Sequence, residues 1–361
     1  MGSQKVSPRS KSAAAQRAPP LIHVNAPRIF AWHLHTMDNQ LLSQLPHVRL
    51  RPHDKYLRLI DAAQKLAPVA TAVVHPCDDV SLGGAVEARK LRLIEPILVG
   101  PPTRIRDVAA RHAMDIADLP IVEAEHSHDS AMKAVALARE HKAAALMKGS
   151  LHTDELMAAV VARDTGIRTE RRISHCFVMD VPDHLDPLII TDAAVNVAPT
   201  LEEKIDIVQN AIDLAHALSF PEVRVAILSA METVNPKVQS TIEAAALCKM
   251  ADRGQITGAL VDGPLALDNA ISPEAAAIKQ IVSPVAGRAN VLVVPDLEAG
   301  NMLAKSLSFL AHADAAGIIL GARVPIILTS RADSLLTRLA SCAVAVMVAA
   351  ARRESVSASI R

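Results

Sequence analysis

Aromatic residues are scarce: the 361-residue chain holds four phenylalanines, one tryptophan and one tyrosine. So few rings leave little with which to stack nucleic-acid bases. Net charge is missing too, because 38 lysines and arginines balance 38 aspartates and glutamates. A neutral molecule has no overall field to draw in a polyanion, so no nucleic-acid partner is expected. The apolar residues fall in short runs of four to eight, against the roughly 20 needed to cross a bilayer, and no membrane span is expected. The four cysteines (Cys77, Cys176, Cys248 and Cys342) lie far apart with no CxxC pair. That excludes a disulfide framework or zinc knuckle and fits a cytoplasmic setting. None of the fifteen histidines falls in an HExxH pattern. His126 and His128 have metal-pair spacing, but a solvated loop accounts for them as well, and no metal is expected.

The standard phosphate loops are absent. Neither GxxxxGK[ST] nor GxGxxG occurs, which removes most support for NTP hydrolysis or Rossmann-type NAD binding.

Residues 1–36 carry Lys5, Arg9, Lys11, Arg17 and Arg28, no acidic residue, and much Ser, Ala and Pro. A segment so poor in apolar surface cannot order itself. Its composition is that of a transit peptide, or of a disordered tail or upstream extension, and residues 1–45 are expected to form a poorly ordered basic tail.

From about residue 50, short apolar runs alternate with helical patterns. The runs at 69–74, 96–100, 143–147, 187–191, 223–228, 258–262, 291–295 and 324–329 are continuously apolar, as strands covered on both faces should be. Between them the spacing predicts helices. In 201–218, Leu201, Ile205, Val208, Ile212 and Ala215 share one face, and Thr200 with Glu203 forms a capping box. This alternation predicts an α/β fold with mainly parallel sheets.

The strands run into polar residues: Lys148-Gly149-Ser150, Asp192 to Asn196, Ser229, Gly263-Pro264, Asp296, and Ser330-Arg331-Ala332-Asp333. Ligands of open α/β sheets bind beyond the carboxyl ends of strands, so these residues suggest a site for an anionic ligand. Lys148, Gly149, Ser150 and Thr153 could cradle a phosphate, or form an ordinary strand–helix turn with Ser or Thr as N-cap. Asp333 could cap the last helix, whose body at 334–350 is apolar. Arg331, directly after a buried strand, suits a bidentate grip on phosphate or a developing oxyanion.

Longer segments carry a resemblance. TDAAVNVAPTLEEKIDIVQNAI (191–212), AMETVNPKV (230–238), VDGPLALDNAIS (261–272), VVPDLEAGNMLAKSL (293–307) and VPIILTSRADS (324–334) are similar to stretches of phosphate acetyl/butyryltransferases. So are HPCDDVSLGGAVEARKLRLIEPILVGP (75–101) and LMKGSLHTDELMAAV (146–160). The phrasing resembles the butyryl branch, and the transferase half of bifunctional enoyl-CoA hydratase proteins, more than the stand-alone acetyl enzymes. The resemblance implies a two-domain, three-layer α/β/α fold related to isocitrate and isopropylmalate dehydrogenases. Domain I would take 46–165 and 316–352, domain II 166–315, with the active site in the cleft between them. It also implies a homodimer with no tightly bound cofactor, using acyl-CoA and inorganic phosphate as substrates. Ser330 and Arg331 match the family's Ser-Arg pair, Lys148, Gly149, Ser150 and Thr153 its phosphate-side turn, Gly300 and Asn301 its Gly-Asn element, and Asp192 and Asn196 its Asp…Asn segment.

Two departures stand out. The arginine that the acetyl enzymes carry after the phosphate-side turn is replaced by the stretch Met157-Ala-Ala-Val, and their aspartate seven residues beyond the serine is Thr337. Asp333 is the nearest carboxylate and the candidate base; an acyl-cysteine on Cys176 is a rival route. Two other readings stay open: a non-catalytic acyl-CoA-binding or regulatory homologue, and a metal- and NAD-dependent decarboxylating dehydrogenase of the same fold.

Overall fold

The computed structural model describes residues 54–359 apart from 183, 185, 331 and 332, with side chains over 55–354. Residues Arg51–Arg361 cluster as one unit, distinct from Met1–Leu50, and the expectation for residues 1–45 lies outside the described residues. The described residues open with α1 (Asp54–Gln64) and continue as β1 (Val69–Val74), α2 (Asp79–Lys90), β2 (Ile94–Gly100), α3 (Pro102–Arg111), β3 (Ile121–Glu123), α4 (Ser127–Arg139), β4 (Ala145–Lys148) and α5 (Thr153–Val161). Next come β5 (Ser174–Asp180), β6 (Leu188–Thr191), α6 (Leu201–Ala217), β7 (Arg224–Leu228), α7 (Gln239–Asp252), β8 (Leu260–Leu265), α8 (Leu267–Ile271), α9 (Pro273–Ile278), β9 (Val291–Val293) and α10 (Leu297–Leu310). The chain ends with β10 (Asp314–Leu320), β11 (Ile326–Ile327) and α11 (Leu335–Ser359).

The eleven described strands join one sheet in the order β3-β2-β1-β4-β11-β10-β5-β6-β9-β7-β8. The first five are parallel to one another, as are the last four. Between the two blocks, β11, β10, β5 and β6 pair antiparallel in succession. Three reversals make the blocks run in opposite directions, so their carboxyl ends face opposite edges of the sheet. The eight expected strands are present with shifted ends, and three more were not foreseen: β3, β5 and β10. Two of those form the antiparallel centre. SHCFVMD (β5) starts and ends on polar residues, and DAAGIIL (β10) begins with an acid, two alanines and a glycine, so neither shows a continuous apolar run.

Helices cover both faces, giving the three layers. One face carries a single continuous core that runs from Tyr56 and Leu82 through Cys176 and Ile189 to Leu247 and spans the whole sheet. On the other face the core is divided. One cluster, with Leu146, Leu156 and Ile326, lies under α4 and α5; the other, with Met179, Ile190 and Leu292, lies under α8 to α10. His175 and Gly317 belong to neither cluster. The Leu335–Glu354 part of α11 is long and apolar enough to cross a membrane, a property missed in the short runs of the sequence, but 72% of that window is buried inside the protein. It packs against α1, α2, α6 and β10 as a core helix. The capping box is present: Glu203 N–H donates to Thr200 Oγ1 (3.3 Å) and Thr200 N–H to Glu203 Oε2 (2.9 Å).

Candidate active site

The first corner forms where β1 and β4 end side by side. Gly149 N–H donates to the Val74 carbonyl at 2.9 Å, and Ser150 N–H to the His75 carbonyl at 3.0 Å. A Cβ on Gly149 would stand 2.3 Å from Val74 O, so only glycine allows this approach. Ser150 Oγ donates to His75 O (2.8 Å) and accepts from Cys77 N–H (3.3 Å). The hydroxyl thus ties two strand ends together and does not cap a helix; His152 is the N-cap of α5 and Thr153 its first helical residue. Lys148 is buried at the tip of β4, its ammonium 3.4 Å from Gly149 O. His75 stands behind the turn with Nδ1 3.0 Å from Ser130 Oγ. Burial, then the Arg104 charge, pushes its pKa below the ordinary value.

The second corner lies just past β11, which pairs in register with β4 (Ile327 opposite Met147), so it shares an edge with the first. Ser330 is exposed. Its N–H donates to Asp333 Oδ2 at 2.6 Å, and Asp333 N–H returns to Ser330 O at 3.2 Å. Asp333 was the candidate cap of the last helix, but the cap is Ser334, whose Oγ accepts from Thr337 N–H at 3.1 Å, and the Asp333 carboxylate turns back on Ser330. Burial raises the Asp333 pKa, opposed by the Ser330 N–H and the charges of Arg338 and Lys305. Arg331 lies outside the described residues. Thr337, where the family's aspartate would fall, is buried and 3.3 Å from Asp314 Oδ1.

The third corner lies just past β6. Asp192 is buried; its Oδ1 accepts from the N–H groups of Ala194 (2.9 Å) and Val195 (3.0 Å). Its Oδ2 accepts from Asn196 N–H (3.2 Å) and Asn196 Nδ2 (2.6 Å). Asn196 also donates to Ile173 O (2.9 Å) and accepts from Arg172 Nε (2.7 Å). Gly300 and Asn301 dock on this turn. A Cβ on Gly300 would meet Val294 Cγ2 at 2.7 Å and Asp192 O at 2.8 Å, and Asn301 Nδ2 donates to Ala193 O at 3.3 Å. The sequence pattern gathered all these strand ends in one site. The structure joins Lys148, Gly149 and Ser150 to the edge of Ser330 and Asp333, and gathers Asp192, Asn196, Gly300 and Asn301 at a separate corner on the opposite edge. Helix α10 relates the two, with Gly300 at one and Lys305 near enough to Asp333 to lower its pKa.

Cys176 is fully buried and its thiol is pushed up to about 12, which leaves it protonated and unable to attack. His126 caps α4, accepting from Asp129 N–H at 3.1 Å. Among the described residues no group of three or more His, Cys, Asp or Glu is placed to hold a metal ion. A cavity of about 290 Å³ beside Tyr56, Phe220 and Arg224 contains none of the candidate residues.

Residues 103–346 match the family described as phosphate acetyl/butaryl transferase. A phosphate acetyltransferase of Rhizobium meliloti is 67% identical over 299 residues, 83% of this chain and 95% of that protein. The chain belongs to this family. A phosphate butyryltransferase of Clostridium acetobutylicum is 40% identical over 287 residues, covering 80% of this chain and 95% of its own. The acetyl-named relative is thus the more similar of the two, although the phrasing of the segments leaned toward the butyryl branch. The solved branched-chain phosphotransacylase from Enterococcus faecalis V583 superposes with a TM-score of 0.66 at 29% identity, over 78% of this chain and 99% of that one. As a phosphate acetyl/butyryl transferase the protein is an enzyme that moves a short acyl group between coenzyme A and inorganic phosphate.

Sequence reasoning missed Arg338. It is buried, with Nη1 2.9 Å from Thr329 Oγ1 and Nη2 donating to Ser330 O. An arginine inside the otherwise apolar 334–350 helix was the available signal.

Proposed function

We propose that acyl transfer takes place at the edge shared by the first two corners, with Asp333 as base, Ser330 beside the reacting atoms, and Lys148, Ser150 and Thr153 seating the phosphate. The observation that carries this reading is the half-buried Asp333 carboxylate, turned onto the exposed Ser330 turn and held above its ordinary pKa. A free thiol with a pKa of about 8.5 is mostly protonated at neutral pH. As the CoA sulfur attacks the acyl phosphate carbonyl, Asp333 takes its proton. The C–S bond forms, the C–O bond to phosphorus breaks, and phosphate leaves. Ser330 hydrogen-bonds the sulfur or the oxyanion, and Arg331 offsets charge on the oxyanion and the departing phosphate. Such a donor contributes about 3–4 kcal/mol. Asp192, Asn196, Gly300 and Asn301 brace α10 from the opposite edge, and Lys305 of that helix acts on Asp333.

The division of the core on one face supports an active-site cleft between 46–165 with 316–352 and 166–315: the buried residues of one cluster all fall in 166–315, and those of the other, apart from Ile167 and Ile173, fall in the remaining two segments. Acetyl is the proposed acyl group, after the name of the 67% identical relative. A homodimer is proposed, supported by exposed Met302, Phe309 and Leu310 on one stripe of α10. The enzyme is proposed to work in the cytoplasm without a tightly bound cofactor.

The test is phosphate-dependent loss of thioester absorbance with acetyl-, propionyl- and butyryl-CoA, with and without EDTA, beside Arg331→Ala and Asp333→Asn. Turnover that survives EDTA and collapses in both variants is expected. Tight acyl-CoA binding without turnover at any chain length would move the reading to a binding or regulatory role.

A further inference from the structure

The Ser330 peptide is gripped from both sides. Its N–H donates to Asp333 Oδ2, and its carbonyl accepts from Asp333 N–H and from the Arg338 guanidinium. Arg338 reaches this position from the first turn of α11, and its second arm donates to Thr329 Oγ1 at 2.9 Å, two residues past β11. The side chain passes over Gly84 of α2, where a Cβ would come within 3.1 Å of Arg338 Cδ. The glycine is therefore part of the arginine's berth. Only 4% of Arg338 is exposed, and its Nε has no hydrogen-bond partner among the described residues.

A buried guanidinium is costly to keep, and burial lowers the pKa of this one. The carboxylates whose charges act on it are Asp333 and Asp78, the N-cap of α2, with Cys342 on its own helix. Its hydrogen bonds go to the turn that carries Ser330. A scaffold that needed only to hold α11 in place could do so with an apolar residue at lower cost.

We infer that Arg338 is a positioning residue for acyl transfer: it fixes the Thr329–Ser330 backbone and supplies the positive charge that keeps Asp333 able to accept a proton. The second half rests on the assignment of Asp333 as base; the first half does not. The charged groups acting on Asp333 are Arg338 from α11, Lys305 from α10 and Asp314 from β10. Arg338 and Lys305 favour the carboxylate, and Asp314 opposes it. With the Arg338 charge removed, the Asp333 pKa rises further, and the acid limb of the rate profile moves to higher pH.

The experiment tracks kcat and KM against pH, with thermal unfolding, in the wild type, Arg338→Met, Arg338→Lys and Asp333→Asn. In Arg338→Met we expect kcat to fall about a hundredfold, the effect of misplacing a reacting group by about 1 Å, with an upward shift of the acid limb. Arg338→Lys, which restores the charge and one donor, should return the limb and recover at least about tenfold of the rate. Should Arg338→Met not fold, Arg338→Gln reads the same two quantities. If Asp333→Asn keeps full activity, the base assignment fails, while a kcat loss in folded Arg338→Met still supports the positioning claim. The inference is overturned if the folded Met or Gln variant stays within about twofold of wild type at every pH. It is equally overturned if the loss tracks the unfolded fraction alone and Lys restores nothing.

Discussion

The corner at Asp192 and the corner at Ser330 are both strand-end turns rich in polar side chains, and they are built on opposite principles. At Asp192 both carboxylate oxygens and the whole Asn196 amide are committed to partners inside the fold. Buried polar groups satisfied in this way hold a turn rigid. At Ser330 the serine is exposed, the neighbouring carboxylate is held above its ordinary pKa, and a buried arginine keeps an Nε with no partner among the described residues. Groups held away from their preferred ionisation cluster where chemistry is done. A motif residue's share in catalysis is therefore better judged by what remains unsettled around it than by the motif.

That contrast can be broken by experiment, and the largest effect belongs to the unsettled corner. Ser330→Ala should lower kcat by about 10²–10³-fold while leaving the melting temperature nearly unchanged, since the side chain is exposed; a large melting shift would erase the distinction. Asp192→Ala should show the opposite weighting. It strands three backbone donors and the Asn196 amide, and should lower unfolding stability by about 2–4 kcal/mol in urea titration. Gly300→Ala comes next, at a cost of about 1–3 kcal/mol through overpacking against Val294 and the Asp192 carbonyl. Thr200→Ala, at the capping box beyond that corner, should cost about 1 kcal/mol by the same measurement.

The smallest effect sharpens the comparison through pH. A carboxyl whose folded pKa is raised contributes stability that is fully present below its unfolded value of about 3.9, and loses it as pH rises through the folded value. Asp333→Asn should therefore gain melting temperature relative to wild type as pH rises from about 3 to about 8, at the expense of activity. An unchanged difference across that range would place Asp333 with the settled groups.

The parallel blocks were legible from the sequence because strands buried on both faces are continuously apolar, as ILVG (97–100) and VLVV (291–294) are. The antiparallel centre was not, because Ser174, His175 and Asp180 break the pattern of β5. Without β5 and β10 the reversal of direction is invisible, and every polar strand end falls to one edge. His175 shows why the centre is atypical: it is fully buried between the two clusters, with neither ring nitrogen hydrogen-bonded among the described residues and its pKa lowered to about 4. Ser330 and Asp333 were singled out because they come directly after an obvious strand. Arg338 was not, because a charge in an apolar helix reads as an interruption until the turn it holds is seen.

The order of strands also bears on synthesis. The block of β1 to β4 is translated early, yet its fifth strand, β11, and the helix α11 that covers it come from the end of the chain. β4 presents a bare apolar edge until residues 326–327 arrive, and contacts so distant in sequence form slowly. A nascent chain stalled before β11 would carry a sticky, unfinished half sheet and none of the Ser330 turn. Ribosome-bound chains of this enzyme should therefore lean on chaperones longest in their first-made half.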